Sequence, residues 1–296
     1  MNQALAFIME PWHFAFMQRG ALAVIMVALC SAMIGCHVVL RKLSFVGDGL
    51  AHATFGGLAV GFLLKINLLF SATVAAVLTA IGIGTVSRKA EISLDTAIGI
   101  MFTGVFAAGI VIISHDRGYR GDLFDLLLGN VLTVSIDDLK LTAAALAVVV
   151  FCLLFFYKEL LFASFDPLGA EASGIEVAWL DFALLLLLAV TVTVSLQTVG
   201  VILVSALLIT PAASAYQLTN KFSTMMLYAC IIGAFSGVAG IYLSYFLDVP
   251  CGAAVVLSAT AIFFLCLIVS QKKGKVKIEE TVEEPQPKVL GDFHPL

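Results

Sequence analysis

The sequence predicts an all-α protein, a polytopic transmembrane helix bundle with nine spans. Three observations predict it. Of the 296 residues 61% are hydrophobic and only 12% are charged, where a soluble domain carries roughly 25% charge. The mean hydropathy of +1.08 leaves too little polar surface to face water, so the chain must sit in lipid. The apolar residues also fall into long runs, and about 20 such residues cross a bilayer as a helix.

Residues 1–16 form an N-terminal segment expected on the extracytoplasmic side. The first span, 17–40, runs from Arg19 to Arg41 and Lys42 without a small-residue cleavage site, which fits a retained helix better than a signal peptide. Spans follow at 44–64, 67–86 and 93–114. The next stretch, His115–Asn130, mixes charge with an apolar run. It reads as an interfacial helix or as a docking surface, and His115, Asp116, Asp122 and Asp125 could attract cations there.

A fifth span at 138–157 leads into Tyr157–Trp179, a connector expected on the inner side. Within it Asp166 followed by Pro167 is a helix start, an N-cap residue with proline at the first position. A short helix over Pro167–Gly174 is therefore expected, with Glu171 and Glu176 facing the cytoplasm. It serves either as a plain amphipathic connector or as a segment that fits a groove on a soluble partner. Spans at 179–197, 198–218, 223–247 and 251–270 complete the permease domain, 17–270. Three joins are short enough to be tight hairpins, around Lys65, at Gln197–Thr198 and at Asp248–Pro250. The segment 271–296 is polar, contains Pro285, Pro287 and Pro295, and reads as a disordered cytoplasmic tail.

Lysine and arginine set the orientation. With the N-terminus outside, the inner side holds Arg41, Lys42, Arg88, Lys89, Lys158, Lys221 and the tail lysines, against five lysines and arginines on the outer side. This favours N-out and C-in; with eight spans the N-terminus would change sides. The GxxxG pairs Gly57–Gly61 and Gly233–Gly237 predict close helix packing. The six cysteines form no CxxC pair, so neither a disulfide framework nor a zinc knuckle is expected. A net charge of −4 argues against a nucleic-acid partner.

Ionisable residues at membrane depth are costly and mark function by default. Asp48 and His52 are such a pair, at i and i+4 on one helix face and roughly 6 Å apart along it. Carboxylate oxygen and imidazole nitrogen together suit divalent first-row metals. The same pair could instead satisfy itself, or Asp48 could partner Arg41. Weaker candidates are His37, either lining an exit or standing as a satisfied or snorkelling histidine near the inner surface, Asp95, which opposes a helix dipole, and Pro211, which bends the seventh span. The chain has no GxxxxGK[ST] phosphate loop and no HExxH, so it is not expected to be an enzyme alone.

The stretch LRKLSFVGDGLAHATFGG resembles the second-helix signature of the manganese, zinc and iron permeases of ABC importers. ISLDTAIGIMFTG (92–104), FDPLGAEASGI (165–175) and VGVILVSALLITPAASA (199–215) are similar to three further family segments, in the same order. Departures are Thr54–Phe55–Gly56 in place of Leu-Pro-Gly and Ala51 in place of serine. The resemblance implies a type II importer-like permease in a bacterial-type cytoplasmic membrane, working as a homodimer with two cytoplasmic ATP-binding subunits and an extracytoplasmic metal-binding protein. It implies that Asp48 and His52 meet a transported Mn²⁺, Zn²⁺ or Fe²⁺, with no permanently bound cofactor and with ATP acting only through the partner. It also makes 164–177 the coupling segment, with Asp166, Pro167, Leu168, Gly169, Ala170, Glu171 and Gly174 facing the ATPase. An ATPase-independent secondary transporter, using Asp48 and His52 as a proton relay, is the alternative, and a non-transporting membrane scaffold is a third reading.

Overall fold

The computed structural model describes residues 10–43, 45–114 and 131–270. Among these residues the secondary structure is entirely helical. The loop 115–130 with its four candidate cation-attracting residues, the tail 271–296 and the first nine residues lie outside the described residues.

Nine long helices occupy the nine predicted spans. They are α1 (Ala15–Leu40), α2 (Val46–Leu64), α3 (Leu68–Lys89), α4 (Leu94–Ser114), α5 (Ile136–Phe155), α8 (Val177–Val199), α9 (Val201–Leu218), α10 (Phe222–Leu247) and α11 (Cys251–Val269). Two short helices, α6 (Tyr157–Phe165) and α7 (Pro167–Ala172), connect α5 to α8. Eight of the nine are long and apolar enough to cross a membrane by length and composition alone. The ninth is α2, whose apolar character is diluted by Asp48, His52 and five glycines.

Polar side chains start several helices. Asn67 accepts from the Phe70 amide at 3.0 Å to open α3. Ser135 and Asp138 form a capping box at α5, which satisfies two otherwise unpaired amides reciprocally. Asp138 also accepts from the Gln197 side chain at 3.1 Å, tying the start of α5 to the end of α8. At the other end of α1, the Lys42 amide donates to Val39 O and the Leu43 amide to Val38 O. Lys42 adopts φ 58° there, the left-handed closure of a Schellman motif.

Packing centres on α1, whose Ala23, Val24, Val27, Ala28, Ile34, Cys36 and Val38 are buried. It packs on α9 and α10 on one side and on α5 and α8 on the other. Helix α2 packs on α3 and α4 and reaches α8 and α9, but touches α1 little beyond their shared corner. Small residues make these approaches possible. A Cβ on Gly57 would meet Ser71 O at 2.5 Å and Ala72 Cα at 2.8 Å on α3. A Cβ on Gly56 would meet Val105 O at 2.7 Å on α4, and Gly233 and Gly237 abut Ala28 and Val24 on α1. Both GxxxG pairs are therefore packing surfaces. All six cysteines are free.

Two expectations need correction. The join placed at Gln197–Thr198 lies at Gly200, and the helices on either side of it do not form a packed hairpin. The polar Gln197 and Thr198 suggested a loop, but the chain breaks where glycine alone can adopt φ 86° and ψ 165°. The connector 157–179 also contains α6 ahead of the predicted short helix, and that short helix ends at Ala172 rather than Gly174.

Candidate functional site

Asp48 lies in the first turn of α2 and His52 one turn later, so both side chains rise from the same face. Their side chains are 47% and 34% exposed, which leaves them reachable from outside the single chain. His52 Nδ1 is 2.9 Å from the Asp48 carbonyl oxygen and 3.6 Å from Asp48 Oδ1. A carbonyl oxygen can only accept, so in the neutral ring this contact assigns the proton to Nδ1 and leaves the lone pair on Nε2. This is the tautomer that a metal-ligating imidazole needs, with its second nitrogen oriented by a backbone carbonyl.

The surroundings come from two other helices. Phe102 and Phe106 of α4 stand 5.9 and 5.4 Å from the His52 ring, centroid to centroid. Phe55 packs on Phe106 at 5.2 Å. From α9, Ser205 Oγ donates to Asp48 Oδ1 at 3.4 Å, a long contact. Ser205 is a site residue that the sequence reading missed, because 157 residues separate it from Asp48. The only hint was its place in the family-like segment 199–215.

Among the described residues, no three histidine, cysteine, aspartate or glutamate side chains come together as a metal-holding group. Asp48 and His52 present one carboxylate and one imidazole side by side.

The weaker candidates stand apart. His37 is fully buried in α1, its ring 4.8 Å from that of Phe222 on α10, and neither ring nitrogen has a hydrogen-bond partner. It is therefore neither a snorkelling nor a satisfied histidine. Asp95 lies exposed in the first turn of α4, where a carboxylate opposes the helix dipole as expected. Pro211 is buried within α9, and a Cβ on Gly233 would sit 3.5 Å from its ring.

The segment around α7 is built by local rules. Asp166 Oδ1 accepts from the Gly169 amide at 2.9 Å, and Pro167 takes the first helical position. A Cβ on Gly169 would press on the Asp166 carboxylate, which would have to shift to make room. Gly174 adopts φ 85° and the Ile175 amide returns to Ala170 O at 3.0 Å, closing the helix. Ala170 is the buried anchor, while Leu168 is 80% exposed and Glu171 and Glu176 face outward.

Beside this segment Arg41 forms an ion pair with Asp181 rather than with Asp48. Burial pulls the Arg41 guanidinium below its ordinary pKa, and the Asp181 carboxylate opposes that pull. Arg41 Nε also donates to Ser164 Oγ at 3.1 Å, and Arg88 donates to the Ala178 carbonyl at 2.6 Å.

Comparison with known proteins adds to this geometry. A family model described as the ABC 3 transport family matches residues 13–270. The manganese transport system membrane protein MntC of Listeria monocytogenes is 41% identical over 281 residues, covering 94% of this chain and all of that protein. The manganese import system permease protein ScaB of Streptococcus gordonii is 35% identical over 271 residues, covering 92% of this chain and 97% of that protein. Among solved structures, PsaBC from Streptococcus pneumoniae in complex with Fab superposes with a TM-score of 0.81 at 34% identity. That match covers 93% of this chain and 99% of the other.

Proposed function

This chain belongs to the ABC 3 transport family, and from that premise we propose that it carries manganese and passes the ion between Asp48 and His52. It is the membrane permease of an ATP-driven importer of divalent transition-metal ions. It has no catalytic activity alone, and ATP is hydrolysed by a separate subunit. A self-sufficient secondary transporter is not favoured. Manganese as the cargo is supported by the likeness to MntC, a manganese transport system membrane protein, and to ScaB, a manganese import system permease protein.

The observation that carries the site reading is the His52 Nδ1 contact with the Asp48 carbonyl, because it leaves Nε2 free to meet a cation beside a carboxylate. In this reading two permeases face each other across a central pathway. Each supplies one oxygen and one nitrogen ligand, and water completes the shell. A site of this kind admits Mn²⁺ and releases it, as conduction requires. Four thiolates would hold a soft ion too firmly to pass it on. The aromatic wall of Phe55, Phe102 and Phe106 lowers the local dielectric and strengthens the carboxylate's attraction for the ion.

Residues 17–270 act as the permease domain and 164–177 as its coupling segment. Leu168 seats α7 on the cytoplasmic ATPase, one ATPase per permease, and an extracytoplasmic protein delivers the metal. The N-terminus is outside and the C-terminus inside, as the distribution of lysine and arginine favours.

The test is metal accumulation in cells that lack their own manganese and zinc importers and express this chain with its ATPase and binding protein. Wild type is expected to raise cellular manganese. The double variant Asp48→Asn/His52→Ala, at the same membrane level, is expected to abolish the gain. Equal accumulation by both would make the pair structural. A rise in zinc instead of manganese would overturn the cargo assignment.

A further inference from the structure

We propose that Arg41 is a positioning residue that links the movement of α7 to the metal-bearing helix α2. The proposal rests on the reading of α7 as the ATPase contact.

Three parts of the chain meet at the Arg41 guanidinium. Its Nη1 pairs with the Asp181 carboxylate on α8. Its Nε donates to Ser164 on α6 at 3.1 Å. Ser164 in turn donates to the Leu160 carbonyl at 2.6 Å, so its hydroxyl is oriented to accept from the arginine. Ser164 lies two residues before the Asp166 cap of α7, and Asp181 lies seven residues after Gly174. Arg41 therefore grips both arms that carry α7. A displacement of α7 moves α6, α8 or both, and the guanidinium is the group they share.

The other end of the link is α2. Arg41 caps α1, and the chain turns at Lys42 and Leu43 before α2 begins at Val46, two residues ahead of Asp48. The turn is stiff. Leu43 is buried, its amide is bonded to Val38 O at 3.0 Å, and the Val46 amide is bonded to Leu43 O at 3.1 Å. Helices α1 and α2 barely touch beyond this corner, so α1 does not clamp α2 in place along its length. Force on Arg41 reaches the first turn of α2 through the hydrogen-bonded corner at Leu43.

The Arg41 side chain is only 8% exposed and that of Asp181 is 30% exposed. A charge pair so shielded from water is stronger and more directional than a surface pair. Arginine is needed for the geometry, because a planar fork bonds two acceptors in fixed directions and an ammonium does not. Arg88 secures the arrangement from the opposite side through the Ala178 carbonyl, in the first turn of α8. The resulting unit is an α8 start held by both the α1–α2 corner and the end of α3.

The experiment uses the complete transporter, permease with ATPase and binding protein, reconstituted in proteoliposomes. Arg41→Lys and Asp181→Asn are compared with wild type for ATP turnover, Mn²⁺ uptake and ATPase co-purification. The expected result is intact assembly and near wild-type ATP turnover, with Mn²⁺ transported per ATP reduced about tenfold, a coupling loss of ordinary size. The double variant is expected to be no worse than either single one, since both remove the same link. Asp181→Glu, which keeps the charge, is expected to recover part of the uptake. Unchanged transport per ATP in Arg41→Lys, or a proportional fall in ATP turnover and uptake together, would overturn the proposal. Leu168→Glu is run alongside. Retained ATPase binding in that variant would sink the α7 reading itself, whatever Arg41→Lys does, whereas lost binding leaves the Arg41 result to decide the link.

Discussion

An imidazole enclosed in a membrane helix without a hydrogen-bond partner is an expensive group. His37 is in that position, fully buried with its ring against Phe222, which itself packs in a core cluster with Ala32, Cys36, Ala212 and Ala215. Replacing an unpaired polar group with an apolar one of similar size removes its desolvation cost, about 1–3 kcal/mol. His37→Leu is therefore expected to raise the unfolding temperature of the detergent-solubilised protein and to leave manganese uptake unchanged. A lower unfolding temperature, or lost uptake, would show that His37 has a partner or a task in the working cycle. The contrast with His52 is instructive. Both histidines lie in helices beside apolar runs, and both stood out in the sequence as ionisable residues near membrane depth. What separates them is the partner. His52 has a backbone carbonyl fixing its tautomer and a carboxylate one turn away, while His37 has neither. Spacing made the Asp48–His52 pair legible, because i and i+4 share a face in any helix. Ser205, Asp181 and Ser164 were not legible, since a contact across 123 to 157 residues depends on how helices pack and not on local pattern.

At the scale of elements, the helices were legible wherever apolar length or local capping dictated them. The Asp166–Pro167 start is a case where two adjacent residues specify a cap, and the cap forms as expected. The break between α8 and α9 shows the opposite. Polarity suggested Gln197 and Thr198, but both are helical, and the turn depends on the backbone of Gly200 at φ 86° and ψ 165°. An alanine forced into that region is strained by about 1–3 kcal/mol. Gly200→Ala is expected to lower the unfolding temperature while Gln197→Ala, which removes only a surface hydrogen bond to Asp138, has a much smaller effect. Equal losses would mean that the α8–α9 break is not conformationally demanding. Helix α6 escaped the sequence reading because it follows α5 after a single residue. Its nine residues read as the polar margin of a span rather than as a helix of their own.

At the scale of the whole molecule, the half-built character of the metal surface has a consequence that can be measured. One chain offers the Asp48 carboxylate and the His52 imidazole, both partly exposed, and among the described residues no further acidic, histidine or cysteine side chain joins them. If two permeases complete one site, damage to one copy damages the shared shell, not half of a pair of independent channels. Two copies joined in one chain through a linker that carries one added membrane-crossing helix, which returns the chain from the inner C-terminus to the outer N-terminus, test this, because the linkage fixes the mixture at one intact and one altered copy. The linked pair carrying Asp48→Asn/His52→Ala in one half is expected to import manganese at far less than half the rate of the intact linked pair. The remaining oxygen and nitrogen cannot replace the four protein ligands of the complete shell. Import at half the intact rate would show that each copy conducts alone. Placing the altered copy first or second in the linked chain should give the same loss, since a two-fold arrangement makes the halves equivalent. A difference between the two orders would indicate that the pathway is not shared symmetrically.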